Sequence, residues 1–142
     1  MKEKRIFFIS GHRDITYNEY TRLYLPKIIE CIDKYDAYFI MGDYEGVDIM
    51  AQNTLMGVLE YPIDKVTVYH MGDKPRNVHP TIQQFVGGFR TDEERDYAMS
   101  ANSDEDIAFI RCGRFTSGTA QNICRRYAFY SNSGDVHKYL KK

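Results

Sequence analysis

Four short apolar runs in this chain each lead into a loop, and three of those loops open a helical pattern at or beside glycine. Ile6-Phe7-Phe8-Ile9 runs into Ser10-Gly11-His12-Arg13, and Phe39-Ile40-Met41 runs into Gly42 and on to Gly46-Val47-Asp48. Ile107-Ala108-Phe109-Ile110 leads through Cys112 and Arg114 to Ser117-Gly118-Thr119. A glycine turn between a buried strand and a helix lets backbone N–H groups approach an anion at the helix's positive end. Three such turns in 142 residues point to a phosphate or nucleotide site. They do not say what becomes of the nucleotide.

Between the loops the periodicity alternates. Arg5 to Ser10 is apolar on both faces, as in a parallel sheet covered by helices. Thr16-Tyr17-Asn18-Glu19 fits a capping box, followed by a stripe of Leu25, Ile28, Ile29 and Ile32. Pro26 inside that stripe requires a kink or a late helix start near Leu25. Ala37 to Met41 is the second strand. Val47, Met50, Ala51, Thr54 and Val58 mark the next helix, weakened by Gly57 and stopped before Pro62. Val66 to Tyr69 is the third strand, and the stretch Met71 to Arg90 reads as a long functional loop. Thr91-Asp92-Glu93-Glu94 is a second capping box, predicting a helix from Asp92 to Ala101. Ile107 to Arg111 is the fourth strand. Ala120, Ile123, Cys124 and Tyr127 form the stripe of the last long helix, and 135–142 is one more helical turn or a frayed tail.

Strand–helix alternation with right-handed crossovers predicts an α/β fold: one domain over 1–142, a Rossmann-like three-layer sandwich with a mostly parallel sheet. A strand order of 3-2-1-4 would set the switch point between the first and fourth strands. The loops at Gly11 and Gly118 would then face one crevice, with the Gly42 loop beside it. A chain of this length buries roughly two-thirds of its unfolded surface.

Composition removes several function classes. A formal charge of −1 gives no support to generic nucleic-acid or anionic-membrane binding. No run approaches the roughly 18 apolar residues of a membrane span, and the apolar run after Arg5 is too short for a signal-peptide core. The cytoplasm is the expected location. Cys31, Cys112 and Cys124 lack disulfide or metal spacing; Cys31 and Cys124 fall on apolar helix faces and read as buried thiols. His12, His70, His79 and His137 show no metal-ligand pattern, so neither metal nor cofactor is expected. The chain has 12 Tyr and no Trp, a load that suggests pocket-lining or subunit-interface tyrosines and a homodimer or higher homo-oligomer.

Ser117-Gly118-Thr119 is the strongest local signal. Gly118 permits close approach of a phosphate and Thr119 adds a hydroxyl, while a plain N-cap is the competing reading. Gly42 to Asp48 is open in the same way. Arg13 and Arg95 are the cations suited to a phosphate or an orienting carboxylate; for Arg95 an ion-paired solvated face is the alternative. Arg111, Arg114, Arg125 and Arg126 read as surface charge. Asp43, Glu45 and Asp48 can supply a general base or hold a ribose hydroxyl.

At these residues the chain resembles the SLOG superfamily, the Rossmann-like group that includes the DprA and LOG proteins. Ser10-Gly11-His12-Arg13 looks like its G-x-R turn, and Gly42 with Gly46-Val47-Asp48-Ile49-Met50-Ala51 is similar to its G-x-D-x-x-A-like loop. Glu94 to Met99, followed by Ser103 to Ile110, looks like its R-x-x-x-M segment and following strand, and Ser117-Gly118-Thr119 matches the G-T of its phosphate loop. The resemblance implies nucleotide binding and, in the LOG branch, cleavage of an N-glycosidic bond by an Arg in the R-x-x-x-M helix and a Glu three residues past the threonine. Arg95 fits the first role. The Glu position is Asn122, and an amide cannot act as a carboxylate base.

The expected ligand is a nucleotide or nucleotide-derived small molecule. Its phosphate would sit on Gly42–Val47 and Gly118-Thr119 with Arg13 or Arg95, and its base or ribose towards Gly11-His12 and the long loop before Arg90. The binding set is thus Ser10, Gly11, His12, Arg13, Gly42, Gly46, Val47, Asp48, Ser117, Gly118 and Thr119. A sensor or carrier module is the first expectation. An N-glycosidase or glycosyltransferase using Arg95 and Asp48 is the second, and a structural, oligomeric interaction protein the third.

Overall fold

The computed structural model describes residues 1–110 and 117–131, with side chains of the second stretch as far as Arg126. Five strands form one all-parallel sheet: β1 (Lys4–Ile9), β2 (Asp36–Met41), β3 (Val66–Met71), β4 (Gln84–Phe89) and β5 (Glu105–Ile107), in the order β4-β3-β2-β1-β5. The chain steps outward from β1 to β4 and then crosses to the other side of β1. The switch point therefore lies between β1 and β5, as the 3-2-1-4 order anticipated for the four strands it counted.

Helices cover both faces. Phe7, Ile9, Phe39, Met41, Val66 and Val68 point to one side, where they pack on α1 (Tyr17–Leu23), α2 (Leu25–Lys34) and α3 (Val47–Gln52). Phe8, Ile40 and Tyr69 point to the other, where Met99 of α4 (Asp92–Ala101) meets them and α5 (Gly118–Ser131) packs beside α4. Alternate residues of β1 thus feed two cores, which is why Ile6 to Ile9 is apolar on both faces.

The first capping box forms in full and the second in its Thr half. Thr16 and Glu19 bond reciprocally at the start of α1, and Thr91 accepts the Glu94 N–H at the start of α4. Pro26 sits in the first turn of α2, where its missing N–H costs nothing, and the chain breaks at Tyr24 to place it there. Ile28 is buried on the stripe, whereas Ile29 is exposed.

Four expectations need correction. The stretch 71–90 is no structureless loop: it supplies β4, an edge strand hidden from the sequence by Gly87 and Gly88. His70 lies against Gly87 so closely that a Cβ there would strike the imidazole. The strand expected at 107–111 is instead Glu105–Ile107, and 108–110 are not strand: Asp104 takes both backbone groups of Ile6, its N–H donating to the Ile6 carbonyl and its Oδ2 accepting the Ile6 N–H, which sets the register Phe7↔Glu105; Arg111 lies outside the described residues. After Gln52 the third helix widens into a π-helical stretch, Asn53–Val58, which rotates Val58 out to solvent. Finally, Ala120 of the expected α5 stripe is buried, but the inward face is otherwise largely polar: Thr119, Asn122 and Arg126 are buried and Cys124 is exposed. Arg126 is no surface charge; it bonds Ser103 and Asp106 of the β5 side. Cys31 is buried as expected, and burial pushes its thiol up to about 11. Cys112, Arg114, Tyr127 and 135–142 fall outside what is described, Tyr127 by its side chain.

Several tyrosines belong to the core. Tyr24 is fully buried, donates its hydroxyl to the Ser10 carbonyl at 2.8 Å and accepts the Phe109 N–H at 3.1 Å. It ties the end of β1 to the segment after β5, across the switch point. Tyr24→Phe is expected to leave those backbone groups unpaired and to destabilise the fold by about 2 kcal/mol in urea denaturation. A change within a few tenths would show the bridge to be dispensable.

Candidate functional site

A cavity of about 270 Å³ opens at the carboxyl ends of the strands, over the switch point. Its first wall is the turn after β1. The Ser10 N–H donates to the Ile107 carbonyl, and Tyr24 holds the Ser10 carbonyl from below. Gly11 is obligatory here, since a Cβ would collide with the Tyr24 hydroxyl and the Val47 side chain. Gly46, with φ +82°, lies under the same turn; a Cβ there would come within 2.5 Å of the Arg13 Cα and 2.6 Å of the His12 and Arg13 carbonyl oxygens. Gly46 and Val47 are therefore supports behind the turn and do not line the cavity. Ser10, Gly11, His12 and Arg13 do.

The second wall is organised by Asp43, which is wholly buried just past β2. Its carboxylate accepts the Arg76 backbone N–H at 2.7 Å, the Arg76 guanidinium at 2.9 and 3.2 Å, and Arg95 Nη1 at 2.8 Å. Burial alone would push this carboxyl up. The Arg76 hydrogen bonds and the charges of Arg76 and Arg95 outweigh it and hold Asp43 below its usual range. Arg95 is in turn buried, with Nη1 also 3.3 Å from Asp92, and Nη2 and Nε at 2.9 and 3.2 Å from Asp96. The solvated-face reading of Arg95 is corrected: three carboxylates surround it inside the molecule.

Gly42 separates Asp48 from Arg95. A Cβ at Gly42 would meet Asp48 Oδ2 at 2.7 Å and Arg95 Cζ at 2.9 Å. Asp48 is buried and lines the cavity. Burial pushes its carboxyl up to about 7, against the pull of Arg95 and of the Tyr44 N–H that donates to Oδ2 at 3.1 Å. The same cavity thus holds one carboxylate tuned to exchange a proton near neutrality.

The third wall is α5. Ser117 caps the helix by accepting the Ala120 N–H at 3.2 Å, so the plain-cap reading holds for that side chain. Ser117, Gly118, Thr119 and Asn122 nevertheless all face the cavity, and the first-turn N–H groups and positive helix end are presented to it. Asn122 hydrogen-bonds Asp96 and accepts from Arg125 at 2.7 Å. The position where the resemblance implies a carboxylate is an amide clamped between an acid and a base.

Comparison with family models, with curated proteins and with solved structures finds no match for this chain. Function has to be read from the site.

Ten of the expected site residues are brought together: Ser10, Gly11, His12, Arg13, Gly42, Asp48, Arg95, Ser117, Gly118 and Thr119. The long loop before Arg90 does not reach the cavity. In its place the lining includes Asp92, Asp96 and Met99, which share one face of α4 with Arg95, and Tyr44, whose hydroxyl accepts from Arg13 at 3.1 Å. The spacing of 92, 95, 96 and 99 is a helical face and was legible as such. The Arg76 partnership with Asp43 had no local signal.

The two buried acids respond oppositely to pH. Asp43 binds its proton less tightly folded than unfolded, so its contribution is complete above about pH 4. It is lost as pH falls through the depressed folded value. Asp43→Asn, which strands two arginines, is expected to cost about 3 kcal/mol at pH 7, and a loss under 1 kcal/mol would contradict the hub. Asp48 binds its proton more tightly folded, so stability falls as pH rises from about 4 to about 7. Asp48→Asn is expected to flatten that slope and to raise Tm at pH 8 relative to wild type. An unchanged profile from paired melts at pH 5 and pH 8 would rule it out.

Proposed function

We propose that this protein binds a nucleotide or nucleotide-derived small molecule as an SLOG-like module, in the cavity between β1, β2, α4 and α5. The observation that carries the reading is the long helix α5, of 14 residues, opening onto the cavity at the sheet's switch point beside Ser10. The Ser10 Oγ is buried and has no hydrogen-bond partner among the described residues. A helix N-terminus, a spare buried hydroxyl and a glycine without side chain form a phosphate-receptive corner. Arg13, exposed at the rim, lines the same cavity and has only one guanidinium nitrogen bonded, to the Tyr44 hydroxyl, among the described residues.

The phosphate belongs at Ser117–Thr119 rather than at Gly42–Val47. The Gly42 loop stands among Asp43, Asp48 and Arg95, and the guanidinium there is already held by Asp43, Asp92 and Asp96, so an added anion gains little from it. No described residue lies within 4 Å of a Cβ built on Gly118, so Gly118→Val is expected to fold normally and fill the corner. Together with Thr119→Ala it should weaken nucleotide binding about tenfold or more, a loss of about 1.4 kcal/mol. If both variants fold and bind as wild type does, the site assignment fails.

A second reading, cleavage or transfer at an N-glycosidic bond, is favoured by the Asp48 carboxyl at about 7. Asp48 would hand its proton to the departing base while water or an acceptor hydroxyl takes the sugar carbon. Asp48→Asn would then abolish release of free base and leave binding in place. Release that survives in Asp48→Asn rejects that role.

A further inference from the structure

We propose that the inner wall of this cavity is a sugar-reading subsite, in which Asp48 and Ser10 recognise the vicinal hydroxyls of a ribosyl group and phosphate is confined to the α5 end. The inference rests on the nucleotide reading above and specifies what the acidic wall contributes to it.

Charge decides which part of a ligand goes where. The wall carries Asp48, Asp92 and Asp96. All three nitrogens of Arg95 are already engaged: Nη1 by Asp43 and Asp92, Nη2 and Nε by Asp96. Arg95 is thereby neutralised by the protein itself. A phosphate at this end would gain little from it, and the carboxyl groups around it, of which burial pushes Asp48 and Asp96 up, offer hydrogen-bonding oxygens and no positive charge.

Unused hydrogen-bonding capacity decides what the wall does accept. A carboxylate has roughly four acceptor sites. Asp48 uses one of them, on Oδ2, for the Tyr44 N–H; no described residue donates to Oδ1. The Ser10 Oγ has no partner among the described residues either. Both residues are 7% exposed and both line the cavity. The buried Ser10 hydroxyl left open is costly without a ligand, and Asp48 beside it in the cavity lining keeps acceptor capacity to spare. A base's amino group can donate to Asp48 but cannot accept from Ser10. A sugar hydroxyl does both, and a vicinal pair serves the two residues together.

The test is calorimetric titration of the protein with AMP, GMP, CMP and UMP, then with the 2′-deoxy, 3′-deoxy and triphosphate forms of the tightest binder, and with ribose 5-phosphate. Removing a hydroxyl that bonds a carboxylate is expected to weaken binding about tenfold. The triphosphate should bind no tighter than the monophosphate. Asp48→Asn, nearly isosteric, and Ser10→Ala, the smaller change, should each shrink the ribose-over-deoxyribose ratio at least about threefold. Equal affinity for the ribo and both deoxy forms overturns the proposal, as does a ratio that neither variant moves. Ribose 5-phosphate binding that depends on Asp48, with no nucleotide bound, supports the subsite and removes the nucleotide reading. If none of these compounds binds, both fall.

Discussion

The site depends on one buried carboxylate. From its loop after β2, Asp43 collects a backbone N–H and two guanidinium groups from two other parts of the chain: Arg76 in the segment before β4 and Arg95 in α4. Each partner would be unstable alone in that position, Arg95 above all, since an isolated guanidinium at 4% exposure has no water to solvate it. Gln52 adds a neutral clamp on the same segments, donating to the Gly42 and Asn77 carbonyls and accepting the His79 N–H. The cavity wall is therefore preorganised before any ligand arrives.

That arrangement explains a division of labour among the arginines. Arg95 and Arg76 carry structure: their charge is spent inside an Asp43–Asp92–Asp96 network and holds α4 against the sheet. Arg126 does the same for α5 through Asp106. What faces a ligand is the rim cation Arg13, the α5 terminus and an acidic inner wall. On the proposed reading, a cavity built in this way discriminates along its length, with anions favoured at one end and hydroxyl donors at the other.

Much of this could be read before any coordinates, and the reasons for success and failure are physical. Apolar runs, capping boxes and Pro26 are local signals, and they located β1 to β3, α1, α2 and α4 closely. The three glycine loops converged because an all-parallel sheet sets all its strands' carboxyl ends at one edge. β4 escaped because an edge strand with Gly87 and Gly88, its residues largely exposed, shows neither apolar run nor alternation. The polar inner face of α5 escaped because burial of Thr119, Asn122 and Arg126 is fixed by partners twenty or more residues away, among them Ser103 and Asp106. Ligand identity was never a local property: it lies in which groups the fold leaves unpaired.

The most direct measurement is to incubate the protein with a mixed panel of nucleotides and nucleotide-sugars, ultrafilter, and quantify both fractions by mass spectrometry. An intact ribosyl compound retained by wild type and absent from the Gly118→Val retentate is the predicted result. A panel recovered wholly and unchanged in the filtrate would contradict the account and leave the cavity without a nucleotide role.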